Sequence, residues 1–134
     1  MSMLDLAALD LENAPEIKAV PANEEYKLRI IDCKAGRDKN EDDFLLPRFE
    51  VVDHPTSKDF TRYIRLPSDS MDDKKMAKTK SLLRTFFECF DVDLSRKFDP
   101  EDFLPGLEGW AILGLEESEE WGEQNYIKKF ITPK

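Results

Sequence analysis

Apolar and polar residues alternate along three early segments of the chain, at residues 26–33, 44–53 and 59–66. A period of two is typical of β-strands with one buried face. The apolar positions predict the core and are Leu28, Ile30, Leu45, Phe49, Val51, Phe60, Ile64 and Leu66. The positions of opposite parity are Lys27, Arg29, Phe44, Leu46, Arg48, Thr61, Tyr63 and Arg65. We therefore expect a sheet with one apolar face and one face of cations and aromatic rings.

The period of the apolar residues changes after residue 66. Apolar side chains then recur at helical spacing, at Met76, Leu83, Phe86, Phe87 and Phe90. This pattern predicts one amphipathic helix of about four to five turns with a lysine-rich outer face. Asp99 and Pro100 predict a short helical turn after it. Two more strands are expected at 110–115 and 125–131, joined by an acidic loop at 116–123.

Turn-forming residues separate the predicted strands. Residues 35–43 are expected to form a long polar hairpin loop, and residues 54–58 a tight connection. Pro47 lies inside the second predicted strand, where it has no N–H to donate to a neighbour. We therefore expect an edge position or a β-bulge at Pro47.

The order of elements is three strands, one helix and two strands. This is the order of the five-stranded Greek-key barrel called the OB-fold, in which the helix lies between strands three and four. We predict a mainly β protein: an OB-fold-like barrel with the order β-β-β-α-β-β and one amphipathic helix. Residues 1–20 are expected to form an acidic N-terminal arm, and residues 21–134 the domain. An α+β sandwich is the competing prediction for the fold.

The net charge of −9 at pH 7 is unevenly distributed along the 134 residues. Residues 1–25 hold one lysine and six acidic residues, and residues 98–123 hold nine acidic residues and no cation. Residues 26–65 are close to neutral, with nine cations against eight acidic residues. The acidity therefore argues against nucleic-acid binding by residues 1–25 and 98–123, but not by the central strands.

The sequence indicates a cytoplasmic protein without a membrane segment. No apolar run approaches the roughly 20 residues of a membrane span, and the N-terminus lacks the basic flank of a signal peptide. Cys33 and Cys89 are the two cysteines. We expect buried, reduced thiols, with a disulfide between them as the alternative.

No catalytic or metal-binding pattern is visible in the sequence. The chain has one histidine, and His54 has no zinc-type spacing to Cys33 or Cys89. Residues 91–102 fall near calcium-loop offsets, but Arg96 stands where that loop needs glycine. We therefore predict binding without catalysis, with no cofactor and no metal.

Five segments, in their order and spacing, resemble a family of small phage proteins described as single-stranded-DNA-binding proteins or as a domain of unknown function. The resemblance covers residues 20–132 and rests on residues 20–26, 49–53, 82–87, 99–109 and 117–130. The chain has Asn23, Glu24, Lys58 and Asp59 at two places where the family usually has a glycine. The resemblance implies an OB-fold that binds single-stranded DNA in phage replication or recombination.

OB-folds bind oligonucleotides across strands two and three and the adjoining loops, with cations at phosphates and rings against bases. The expected DNA-binding residues are Lys27, Arg29, Arg37, Lys39, Phe44, Arg48, Arg62, Tyr63, Arg65, Trp121, Tyr126 and Lys128. The expected partners are single-stranded DNA or RNA, and phage replication or recombination proteins. Ordinary half-exposed strand composition, with Tyr63 packed on an arginine stem, is the other explanation of this face.

Four further alternatives stay open at the level of sequence. Trp121 either stacks on a base or folds back onto the barrel, and Trp110 is expected in the core or at the barrel rim. The lysine-rich helix face is either a solvated surface or a second phosphate track. The alternative function is an acidic protein-interaction or DNA-mimic module, which the charge of residues 98–123 motivates.

Overall fold

The computed structural model of the chain describes residues 3–133. After a short 3-10 turn at Leu11–Asn13, the elements are β1 (Glu25–Arg37), β2 (Asp43–Val51), β3 (Phe60–Thr61), β4 (Ile64–Arg65), α1 (Asp73–Cys89), α2 (Pro100–Phe103), β5 (Glu108–Ser118) and β6 (Gly122–Ile131). The predicted order of strands and helices is therefore confirmed, except that the third predicted strand forms as two short pieces.

All six strands belong to one antiparallel sheet. Their order is β3-β2-β1-β5-β6, and β4 also pairs with β2. The mainly β architecture is thus confirmed. The hydrogen bonds do not close the sheet into a barrel, since β3 and β6 are not paired within residues 3–133, although Cα atoms of the two strands approach within 8 Å.

The long strand β1 connects the two halves of the sheet. Its residues 25–29 pair with β5, and its residues 28–37 pair with β2. The register with β2 shifts between Ile30 and Asp32, so Ile31 is a bulge. A bulge bends a strand and increases its twist. Because β1 continues to Arg37 and β2 starts at Asp43, the connecting loop is shorter than the predicted 35–43.

Pro47 leaves its own strand, β2, continuous but interrupts the neighbouring strand, which is divided into β3 and β4. The predicted edge position is wrong, because β2 lies between β1 on one side and both β3 and β4 on the other. The bulge is in β1. Pro47 O accepts from Arg62 N at 3.2 Å, but proline has no N–H to return the bond. The ladder resumes in the same register at Leu45 and Ile64. The missing bond accounts for the gap between β3 and β4.

The core lies between the apolar face of the sheet and α1. Every predicted core residue of the strands is buried except Leu66, which packs against the core and is partly buried. Asp72 caps α1 by accepting from Lys75 N at 2.7 Å. From this helix, Phe86 and Phe90 contact Phe49 of β2, with the Phe49 and Phe90 ring centroids 5.8 Å apart. The predicted apolar parity and helix are therefore confirmed.

The short helix α2 is capped as its sequence predicts. Asp99 accepts from Glu101 N at 3.0 Å, and Pro100 occupies the first turn, where its missing N–H is not needed. By contrast, the predicted acidic loop at 116–123 is wrong in extent. β5 continues to Ser118 and β6 begins at Gly122, because the backbone ladder continues through these acidic residues to a tight turn.

Both cysteines are buried and free, as predicted, and form no disulfide with each other. Burial raises the pKa of Cys33 and of Cys89 to about 11. Neither thiol is therefore a ready nucleophile near neutral pH.

Residues 3–17 are exposed and form only local turns, such as the bond from Leu9 N to Leu6 O. The chain joins the sheet after them, where Lys18 bridges Ser57 and the buried Asn125 side chain bonds both backbone groups of Val20. Of the helices within residues 3–133, none is long and apolar enough to cross a membrane.

Candidate nucleic-acid interface

Two aromatic side chains stack on the outer face of the sheet. Phe44 of β2 and Tyr63, in the gap between β3 and β4, have ring centroids 5.0 Å apart and planes inclined by 26°. The Phe44 ring lies over Gly36, where an added Cβ would come within 3.1 Å of Phe44 Cζ. Tyr63 is 46% exposed. We call Phe44 and Tyr63 the aromatic platform, of which Tyr63 is the exposed member.

The loop of residues 38–42 holds Tyr63 in place through Asp38. The Asp38 carboxylate accepts from Asn40 N at 2.8 Å, from Asp42 N at 3.0 Å and from the Tyr63 hydroxyl at 2.8 Å. The bonds from Asp42 N and then from Tyr63 lower the pKa of Asp38, and the same contact with Asp38 raises the pKa of Tyr63. A side chain that bonds nearby backbone N–H groups in this way fixes a turn. The tyrosine ring is therefore positioned before any ligand arrives.

Arginines flank the platform and are themselves paired. Arg65 Nη2 lies 3.1 Å from Asp42 Oδ2 and 3.9 Å from Asp38 Oδ2. Arg37 Nε lies 3.1 Å from Asp43 Oδ1. Two loop carboxylates therefore neutralise Arg65, and Asp43 at the start of β2 neutralises Arg37.

The remaining cations of the predicted face are paired too. Arg48 Nη2 lies 2.9 Å from Asp32 Oδ2. Glu108 of β5 binds Lys27 at 3.2 Å and Arg29 at 2.7 Å, and these two bonds lower the pKa of Glu108. The predicted parity is confirmed, but this face is not an unopposed cationic surface.

Trp121, the predicted binding residue at the β5–β6 turn, does not lie next to the platform. Trp121 is 65% exposed at the β5–β6 turn, so it does not fold back onto the sheet. Lys58, just before β3, donates to Trp121 O and Glu123 O at 3.0 Å. The platform lies beyond β3, towards the 38–42 loop. Trp121 is thus available to a ligand, but at a different place from Tyr63.

Three other sequence predictions receive distinct outcomes. The core alternative for Trp110 is wrong, because the ring is 49% exposed opposite Lys27. Tyr126 lies flat over Gly114, where an added Cβ would come within 2.4 Å of Tyr126 Cζ. Lys39 is exposed in the 38–42 loop.

Arg62 and Lys128 lie apart from the platform, in a groove between α1 and β6. Arg62 follows β3 directly, and its side chain points away from the side of the sheet that carries Tyr63. Lys128 Nζ donates to Asn23 Oδ1 at 2.7 Å. The twelve predicted residues therefore do not form one continuous patch.

Sequence reasoning missed the groups that position the platform. Gly36 and Asp38 lie in the predicted 35–43 loop, in which we gave a role only to the cations Arg37 and Lys39. The order Asp38, Asn40 and Asp42 is a signal for an Asx turn, and it could have indicated a fixed loop. The pairing of Glu108 with β1 gave no such signal, since it depends on the register between strands far apart in sequence.

Within residues 3–133, no three His, Cys, Asp or Glu side chains are arranged to hold a metal ion. No family model matches this chain. A search of curated proteins returns no match either. The function must therefore be argued from the geometry of the surface itself.

Proposed function

We propose that this protein binds single-stranded DNA, or single-stranded RNA, with little sequence preference. The observation that supports this most is the aromatic platform, a stacked pair of which Tyr63 is exposed, with arginines beside it. A base has a flat π-face whatever its identity, so stacking on Tyr63 tolerates any sequence. Double-stranded DNA keeps its bases stacked on each other and offers no free face to such a ring.

The paired arginines are compatible with this proposal. An exposed ion pair is worth about 0–1 kcal/mol, whereas stacking one base on an aromatic ring is worth about 1–3 kcal/mol. The pair of Arg48 with Asp32 is exposed, so exchange of this carboxylate for a phosphate costs little. Stacking supplies most of the affinity, and the arginines set the path of the backbone.

We extend the proposal to the fold and to the biological context. The strand order and the close approach of β3 and β6 support an OB-fold-like barrel, whose strands two and three carry the platform. The family resemblance in the sequence supports a phage protein that acts without catalysis in replication or recombination, in the cytoplasm of the host. Its role there is to cover and protect single strands.

The test is a fluorescence anisotropy titration of labelled oligo-dT with the full chain. We expect binding that weakens as salt rises, and much weaker binding of a duplex of the same length. Replacing Tyr63 by leucine should weaken binding about 5- to 150-fold, the loss expected for one stacked base. The matched control is Trp110→Leu, which removes an exposed ring elsewhere on the sheet. Equal affinities for wild type and Tyr63→Leu would refute the proposal.

A second candidate function is protein interaction through the N-terminal arm. The arm carries exposed apolar side chains among its acidic residues, at Met3, Leu4, Leu6, Leu9, Leu11 and Ile17. Exposed leucines that the sheet leaves uncovered are typical of a segment that docks on a partner. An intact fold that fails to bind oligo-dT even at low salt would favour this candidate.

A further inference from the structure

The groove between α1 and β6 concentrates positive charge on a surface outside the platform. It has a volume of about 470 Å³, and its charged lining residues are Arg62, Lys78, Lys128 and Lys129. The hydroxyl groups of Ser81 and Thr85 line it as well, over an apolar floor. Among the described residues, 3–133, no carboxylate lines it. We call this the cationic groove.

The cations of the groove differ from those of the sheet face in having no counter-charge. None of the four lies within 4 Å of a carboxylate in the described residues 3–133, whereas Arg48 and Arg65 do. The partner of Lys128 is a neutral amide oxygen. Arg62 is partly buried, and its Nε is buried without a hydrogen-bond partner. A partly buried guanidinium in this state is stabilised by an anion.

A second bulge explains how β6 contributes two neighbouring lysines. The β5–β6 register shifts between the pairs Ile112–Lys129 and Leu113–Ile127, which leaves Lys128 as the extra residue. In a regular strand one of two consecutive side chains would face the core. Here Lys128 and Lys129 are both exposed, while Ile127 and Phe130 on either side are buried. The bulge therefore directs both ammonium groups to the surface.

We infer that the cationic groove binds phosphate groups of the same single strand whose bases lie on the platform, an inference that rests on the proposed function. Arg62 and Tyr63 are consecutive residues, and alternate side chains of an extended segment point to opposite sides. Their Cα atoms are about 3.8 Å apart. A strand that leaves Tyr63 needs only to cross this edge of the sheet to reach Arg62. A guanidinium suits a phosphate there because its fork of N–H groups matches two phosphate oxygens.

The acidic arm of the chain is the competing occupant of the groove. Its carboxylates are short side chains on separate turns, whereas a nucleic-acid backbone carries one charge per nucleotide along its whole length. Four cations along one groove without a carboxylate partner fit the regular polyanion better. The exposure of residues 3–17 also shows that the arm does not occupy the groove in this structure.

The test compares the salt dependence of oligo-dT binding among charge-matched variants of the full chain. The groove variant is Lys78→Gln with Lys129→Gln, and the control is Lys74→Gln with Lys75→Gln, which removes two exposed lysines outside the groove lining. Each phosphate contact on a single strand contributes about −0.7 to the slope of log K against log salt. The groove variant should therefore flatten the slope by about 1.4, and the control should leave it unchanged.

Oligonucleotide length and the platform variant separate this inference from the proposed function. About 4 and about 16 thymidines span the usual range of site sizes, and the groove variant should weaken only the longer one. Tyr63→Leu should lower affinity for both lengths and keep the slope. If Tyr63→Leu weakens binding while the groove variant keeps the wild-type slope, the proposed function stands and the groove inference is wrong.

Lysine acetylation identifies the occupant directly. Oligo-dT should protect Lys78, Lys128 and Lys129 from acetylation more than Lys74. The inference is overturned if these lysines are protected without oligonucleotide and become reactive when the acidic residues of the arm are replaced by their amides. That result would place the arm, rather than nucleic acid, in the groove.

Discussion

Gly109 is the point at which β5 meets the end of α1, and it allows a quantitative test of the fold. A Cβ at this position would lie 2.6 Å from Cys89 O and 2.9 Å from Cys89 Sγ. Cys89 is buried, and its thiol donates to Trp110 O at 3.2 Å. Neither atom is the free end of a flexible side chain, so Gly109→Ala forces the helix and the strand apart.

The expected cost follows from overpacking. Extra methyl groups in a packed core cost about 1–3 kcal/mol, and the lower entropy of the unfolded alanine chain offsets about 0.4–1 kcal/mol. We expect a net destabilisation of about 1–2 kcal/mol. For a chain of this size that corresponds to a fall in Tm of about 3–10 °C.

Thermal and urea denaturation followed by circular dichroism measure this change. Gly114→Ala is the matched control: its Cβ would come within 2.4 Å of Tyr126 Cζ, but Tyr126 is exposed and can rotate away. We expect the control to lose less stability than Gly109→Ala. A Gly109→Ala protein with the wild-type Tm would show that α1 does not pack on β5 as described.

Three further predictions concern the platform and the thiols. The lowered pKa of Asp38 means that its contacts stabilise the loop at pH values above the unfolded carboxyl pKa, and that this stabilisation is lost as pH falls through the folded pKa. The NMR signals of the Tyr63 ring should therefore change in that acidic range. Ring signals that stay constant there would contradict this prediction. Tyr63→Phe keeps the ring and removes the bond to Asp38, so oligo-dT affinity should fall far less than in Tyr63→Leu, and equal losses in the two variants would argue against stacking. Burial raises the pKa of Cys33 and Cys89 to about 11. Both thiols should therefore react slowly with a thiol reagent at pH 8 in the folded protein and fast in denaturant. Fast labelling of the folded chain would contradict their burial.

The sequence predicts the local features of this fold well, for a physical reason. Alternation along one strand requires only that one face be buried, and so the parity of Leu28 and Arg29 is readable without knowing their neighbours. The amphipathic helix and the cap at Asp99 are also local, since each depends on residues within one or two turns.

The pairing of charges across the face depends on long-range register and is not readable in this way. Arg48 meets Asp32 because the bulge at Ile31 shifts β1 by one residue against β2. Glu108 reaches Lys27 because distant segments become neighbours in the sheet. The same reasoning explains why Arg62 and Lys128 lie together in the groove, away from Tyr63.

Photocross-linking tests the central claim, that bases stack on the aromatic platform, most directly. Oligo-dT with scattered 5-iodouridine is bound to the full chain, irradiated, digested and analysed by mass spectrometry. We predict cross-links at Tyr63 and Phe44 and none at Trp110. Trp110 is about as exposed as Tyr63 but lies elsewhere on the sheet. Cross-links confined to Trp110 or Trp121, or no cross-links from a folded protein, would contradict the account.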